Sequence, residues 1–156
     1  MDIAVPSFTL EGDFQAVTGG SYEEVLAAKP DNVSAYMALG VIHETAGALG
    51  PAEAMYAKAI DLNPSFAPAL NNLAWILLQQ GKDQDRAFAL AEKARKLLPD
   101  DPSVGDTYGF ALITRGLFAT AITTLQDAAQ KNPRSAAVWF HLAIAYYRYG
   151  RLEQAR

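Results

Sequence analysis

The chain has 156 residues, 51% hydrophobic and 19% charged, with a formal net charge of −4 and no cysteine. This composition rules out a disulfide framework and thiolate chemistry, and its acidic balance argues against nucleic acid, which calls for a basic stripe. No apolar run is long enough to span a bilayer and no basic region precedes an apolar block at the N-terminus, so neither direct membrane insertion nor a signal peptide is expected, and cytoplasm and periplasm fit equally.

Charge is unevenly placed. Residues 1–66 carry nine acids and two bases, whereas residues 67–156 carry eleven bases and eight acids. Two readings follow: ordinary solvated helix faces, or acidic and basic ends that stack head to tail. Salt separates them, because exposed charges are screened over about 10 Å at 0.1 M.

Residues 1–20 hold Pro6, Gly12, Gly19 and Gly20 and show no helical period, so they are read as an irregular arm with at most a short helical turn at Asp13 to Val17. Ser21 and Glu24 have the spacing of a capping box and predict a helix to about Lys29, which stops before Pro30. Residues 21–32 thus resemble the second half of a unit that lacks its first helix.

From residue 33 a pattern recurs. Val33 to Asn63, closed by Pro64, carries Tyr36, Leu39, Gly40, His43, Gly47, Ala52, Tyr56 and Ala59, and predicts helices at 33–46 and 51–61. The next unit has Leu70, Leu73, Ala74, Leu77, Gly81, Ala87, Ala91, Ala94 and Pro99, with helices at 67–80 and 84–97. It holds one extra residue between Gly81 and Ala87. The third runs from Pro102 to Pro133 through Tyr108, Gly109, Leu112, Gly116, Phe118, Ala121, Leu125 and Ala128, with helices at 103–115 and 118–131. The fourth starts at Ser135 with Trp139, Leu142, Ala143, Tyr146, Gly150, Leu152 and Ala155, and stops at Arg156 within its second helix. That stop suggests a fragment of a longer protein, with Trp139, Leu142 and Tyr146 left uncovered.

A period of about 34 residues with small residues at fixed slots and a closing proline is the signature of a helix-turn-helix array. The slots have physical reasons. Gly40, Ala74, Gly109 and Ala143 are small because the paired helix crosses there, with Ala52, Ala87, Ala121 and Ala155 as the reciprocal small residues. Gly47, Gly81, Gly116 and Gly150 end first helices in tight turns, where positive φ favours glycine. The expected units are 33–66, 67–101, 102–135 and a truncated 136–156.

These residues resemble the tetratricopeptide repeat. Trp139, Leu142, Ala143 and Tyr146 match the first half of its pattern, and Tyr36, Leu39, Gly40 and His43 match it with Tyr for Trp and His for Tyr. The resemblance implies an all-α, right-handed α-solenoid of antiparallel helix pairs. The tracts at 70–81 and 87–112 also resemble repeat segments of large bacterial proteins, some associated with exopolysaccharide export or envelope protein sorting.

Chemistry is sparse. No phosphate loop, nucleophile elbow or metal-ligand spacing is present, and His43 and His141 lie in different units with no acid at metal spacing in sequence. His43 reads as a packed inter-helix residue. Asp100 and Asp101 precede Pro102 and read as helix caps. An enzyme is not expected, nor is a cofactor or a metal.

The resemblance places a binding groove on the first helices. The slots imply Met37 and Val41 in the first unit, Asn71, Asn72, Trp75 and Gln79 in the second, Asp106 and Phe110 in the third, and Phe140, His141, Tyr147 and Arg148 in the fourth. One base, Arg148, against Glu44 and Asp106 speaks against a clamp for a C-terminal carboxylate. Asn72 is a single rung of the asparagine ladder that some relatives use. What remains is an apolar, aromatic strip suited to a peptide or an amphipathic helix, although Leu78, Ile113 and Ile144 fit equally well as core. The function read from this is a non-catalytic protein–protein interaction scaffold. The alternatives are a self-assembly module, joined through an uncovered C-terminal repeat or a swapped N-terminal arm, and carbohydrate binding through the aromatic, Asn, Asp and Gln side chains. The arm, with Val5, Phe8, Leu10 and Phe14, is itself a candidate occupant of the groove.

Overall fold

The computed structural model describes residues 20–150, so the expectations for the arm at 1–19 and for residues 151–156 lie outside it. The described residues form eight α-helices and no strand. They are α1 (Gly20–Ala28), α2 (Val33–Thr45), α3 (Leu49–Leu62), α4 (Ala67–Gln80), α5 (Gln84–Leu97), α6 (Pro102–Thr114), α7 (Phe118–Lys131) and α8 (Ala136–Arg148). Each predicted boundary falls within about two residues of these. Helix α1 begins at Gly20, which puts Ser21 inside the first turn instead of at the cap.

Local chemistry sets the ends. Asn32 Oδ1 accepts the amide N–H of Ala35 at 3.0 Å, and Asp101 Oδ1 accepts those of Ser103 and Val104 at 2.8 and 3.1 Å. Ser135 caps α8 in the same way. Such caps each contribute about 1 kcal/mol by pairing N–H groups that have no helical partner. Gly47, Gly81, Gly116 and Gly150 all have positive φ, between 63° and 81°. The extra residue after Gly81 has a visible consequence. Asp83 takes a left-handed φ of 40°, the one non-glycine among the described residues to do so, and caps α5 from that position. Asp tolerates this conformation better than most residues.

Helices pair as α2 with α3, α4 with α5 and α6 with α7, and each second helix also packs on the next first helix. First helices touch in series, α4 on α6 and α6 on α8, while α3, α5 and α7 make no comparable contact with one another. The first helices therefore form the inner layer of an all-α repeat superhelix. The core is a strip running between units: Leu73, Ala74, Ile76 and Leu77 with Tyr56 and Ala91, then Leu70, Ala94 and Val104, then Leu112, Leu125, Val138 and Leu142. Each fully buried Leu or Ile contributes about 1.5–3 kcal/mol.

The crossings of α2 with α3 and of α6 with α7 turn on an absent Cβ. A Cβ on Gly40 would sit 2.3 Å from the Tyr56 ring, and one on Gly109 would sit 2.5 Å from Leu125 Cγ. The side chains that fill these notches are thus Tyr56 and Leu125, four residues beyond Ala52 and Ala121, which are themselves fully buried. One expectation is corrected in α8. Leu142 and Tyr146 are not uncovered but buried against α7, the Tyr146 hydroxyl accepting from Gln126 Nε2 at 2.8 Å, whereas Trp139 is 50% exposed.

Ion pairs tie neighbouring units. Asp127 on α7 accepts from Lys131 at 2.9 Å and from Arg95 on α5 at 3.0 Å, and Lys131 also reaches Asp100 at 2.9 Å. Arg115 pairs with Asp85 and lies 4.8 Å over the Phe88 ring. The Lys131 ammonium, and then the Arg95 guanidinium, hold the Asp127 carboxyl below the ordinary 3.8.

Two outcomes follow. Gly109→Ala improves helix propensity by about 1 kcal/mol, yet the overlap with Leu125 costs about 1–3 kcal/mol, so the net change in urea unfolding is destabilising. Gly50→Ala, with nothing within 4 Å of its Cβ, is the control and is neutral or stabilising. The depressed Asp127 carboxyl contributes stability above pH 3.8 that is lost as pH falls through its lower folded value. Asp127→Asn flattens that acid limb of the stability–pH curve, and 1 M salt shrinks the difference between the two proteins.

Candidate functional site

The inner layer carries two polar systems, both built from residues a unit apart. The first is a relay. The Tyr56 hydroxyl donates to Glu44 Oε2 at 2.6 Å and accepts from Asn72 Nδ2 at 3.2 Å; Asn72 Oδ1 accepts from Asn71 Nδ2 at 3.3 Å. An ionised carboxylate only accepts, so Glu44 sets the direction of every bond behind it. Burial, then the Glu44 bond, pushes the Tyr56 hydroxyl well above the ordinary tyrosine range, which keeps it a donor. The relay ends at Asn71 Oδ1, which is buried and has no hydrogen-bond partner.

The second system is an acid–histidine pair. His141 Nδ1 lies 2.7 Å from Asp106 Oδ1, with the two residues only 5% and 8% exposed. With the carboxylate ionised, Nδ1 carries the proton and donates it to the bond. The imidazole stacks on Phe110 at 4.7 Å with an 11° interplanar angle, and Trp75 meets it edge-on at 5.8 Å. Trp75 and Phe110 are 6.0 Å apart, so the three rings from α4, α6 and α8 form one cluster. An acid-oriented imidazole is the base half of a nucleophilic triad, but among the described residues no hydroxyl is bonded to His141.

Between these systems lies a pocket of about 290 Å³, lined by Asn71, Asn72 and Trp75 from α4, Pro102, Ser103, Asp106 and Thr107 from α6, and Asn132, Ser135, Ala137 and Val138 around the start of α8. Its walls hold one carboxylate, three amides, three hydroxyls and one indole, and no Lys, Arg or His.

The residues expected in the groove divide. Asn71, Asn72, Trp75 and Asp106 converge on the pocket, and Phe110 and His141 form its neighbouring ring cluster. Met37 and Val41 are half-buried and pack against the core, with Leu78 and Ile113 inside it, at 5% and 8% exposure. Gln79 and Arg148 are exposed and away from the pocket lining. Phe140 and Tyr147 are also exposed, at 64% and 63%, with the Phe140 ring 5.7 Å from His141. The Asp106–His141 pair escapes sequence reading because its members are 35 residues apart. The signal that finds it is the repeat itself: the two occupy adjacent inner-face slots of successive units, where an acid and a histidine meet.

Three family models described as tetratricopeptide repeat match residues 20–65, 55–92 and 112–156. A TPR repeat-containing protein of Pseudomonas aeruginosa is 28% identical over 138 residues, which is 85% of this chain and 23% of the relative, so the chain spans about a quarter of that protein's length. Among solved structures, MamA from Desulfovibrio magneticus RS-1 superposes with a TM-score of 0.76 at 18% identity, covering 88% of this chain and 77% of MamA. MamA from AMB-1 gives 0.68 at 24% identity, covering 88% and 74%. An O-GlcNAc transferase of Thermobaculum terrenum gives 0.68 at 18% identity, with 85% of this chain on 23% of the transferase. These structural likenesses are likenesses of fold.

The buried pair yields a specific outcome. Asp106→Ala leaves the His141 N–H without an acceptor in a nearly closed site, which costs about 1–3 kcal/mol in chemical denaturation. Adding His141→Leu to that variant recovers part of the loss, because no unpaired donor is left. Equal loss in the single and double variants would show that the bond itself matters little.

Proposed function

The chain belongs to the tetratricopeptide repeat family, and from that premise we propose that it is a non-catalytic scaffold that holds a peptide or helix of a protein partner against its inner face. Proteins of this family typically mediate protein–protein interaction and are generally non-catalytic. The observation that carries the reading is the convergence of α4, α6 and α8 on one pocket, where amides, an acid and the Trp75 indole lie together with Phe110 packed beside the indole. The relay and the acid–histidine pair brace these side chains, so little ordering is left for a ligand to impose. Preorganisation of this kind raises affinity for a given contact area. Aromatic residues with few rotatable bonds are also the side chains that anchor interfaces most often.

A second reading is favoured by a separate observation. Trp139, Phe140, Tyr147 and Tyr149 are all 44% exposed or more, and they cluster on and just after α8. With the acidic first part of the chain and the basic remainder, they suit stacking of one copy on another.

Selection of binders from a random-peptide library distinguishes the two. Peptides retained by the wild-type chain are expected to lose at least about tenfold in affinity on Trp75→Ala or Phe110→Ala, and none on Ile42→Ala outside the pocket. Unchanged binding in all three variants removes the inner face as the site. A mass that rises with concentration and falls with added salt, with no peptide retained, makes assembly the better account.

A further inference from the structure

The inner-face pocket has a polarity that its residue types alone do not reveal. Asparagine is both donor and acceptor, and an asparagine-lined pocket would ordinarily be neutral in its demands. Here the choice is already made. Glu44 can only accept, so Tyr56 must donate to it; Tyr56 oxygen then accepts from Asn72 Nδ2, and Asn72 Oδ1 from Asn71 Nδ2. Each amide is oriented by the one before it. The end of the relay is therefore an acceptor, Asn71 Oδ1, buried and without a donor. Reversing it would turn Asn72 Oδ1 toward Tyr56 and leave the hydroxyl one proton for two acceptors, an amide oxygen and a carboxylate.

The opposite wall makes the same demand. Asp106 gives Oδ1 to His141, and among the described residues its other oxygen receives no hydrogen bond. No Lys, Arg or His lines the pocket to supply one. Trp75 completes the wall with an indole, whose face attracts cations more strongly than that of any other aromatic side chain. A pocket of about 290 Å³ lined by a carboxylate, by an asparagine whose buried Oδ1 has no donor, and by an indole, with no cation in its lining, is complementary to a cationic donor of side-chain size.

From this we propose that the pocket between α4, α6 and α8 takes the guanidinium of an arginine side chain of the bound partner. The proposal rests on the groove reading and specifies the chemistry of its ligand. Guanidinium is favoured because it is planar, stacks on aromatic faces and presents five donors, enough to reach Asn71 and Asp106 together.

The test is a titration of the 156-residue chain followed by NMR. There are two tryptophans, and the Trp75 indole N–H signal is identified by its loss in Trp75→Phe. The probes are N-acetyl-arginine methylamide, its citrulline counterpart, which is isosteric and uncharged, and N-acetyl-glutamate methylamide. The arginine probe is expected to move the Trp75 indole and the Asn71 and Asn72 side-chain amides in a saturable way, at least about tenfold more tightly than citrulline, with no effect from glutamate. Asp106→Asn should remove that preference for charge. If that variant does not fold, Asn71→Leu, which deletes the buried acceptor, should weaken the arginine probe instead. Equal shifts with arginine and citrulline, or tighter binding of the glutamate probe, overturn the proposal. Silence of the arginine probe, while Trp75→Ala and Phe110→Ala still abolish peptide binding, overturns it and leaves the groove reading intact.

Discussion

Two of the three helix pairs, and the inner face they carry, depend on a notch where a Cβ is missing. At Gly40 the Tyr56 ring lies so close that any side chain would collide with it. That approach lets α3 settle on α2 and carries the Tyr56 hydroxyl to the inner face, where it meets Glu44 and Asn72. One residue therefore serves both layers. Its ring holds a helix pair together, and its hydroxyl links the first helix of one unit to the first helix of the next. The same notch at Gly109 is filled by Leu125, which has no polar end. There the inner face must find other polar partners, and it finds them in Asp106 and His141. The two halves of the site are different solutions to one packing geometry.

What the sequence makes legible is what is local. The cap at Asp101, the turns at four glycines and the small crossing residues each depend on neighbours within a few positions and fall where the pattern puts them. The inner-face slots are legible too, because the repeat fixes which residues of each first helix share a face. What those side chains do there is not. Leu78 and Ile113 fall among the expected inner-face slots together with Trp75 and Phe110, yet they are buried in the core. Asp106–His141 is the clearest case. Neither residue has an acid or base beside it in sequence, and only stacking of α8 on α6 brings them to 2.7 Å.

The extra residue after Gly81 shows how the array absorbs a defect. A one-residue insertion within a helix would rotate its apolar face by about 100° and break the crossing. Placed in the turn, it is taken up by a single left-handed residue, Asp83, whose carboxylate then caps α5. Helix α5 keeps Ala87, Ala91 and Ala94 fully buried, so the register of the core is unchanged.

The direction of hydrogen bonds joins the fold to the site in a way that composition hides. Buried polar groups cost free energy when unpaired, on the order of 1–3 kcal/mol each. A core built to minimise that cost would end its relay on a donor–acceptor match. This one ends on a lone acceptor, opposite a carboxylate with an oxygen to spare, beside an indole. The unpaired Asn71 Oδ1 is such a cost, carried by a residue that also lines the pocket beside Asp106 and Trp75. A fold that is generic in its helices becomes particular at the point where its polar network is left incomplete.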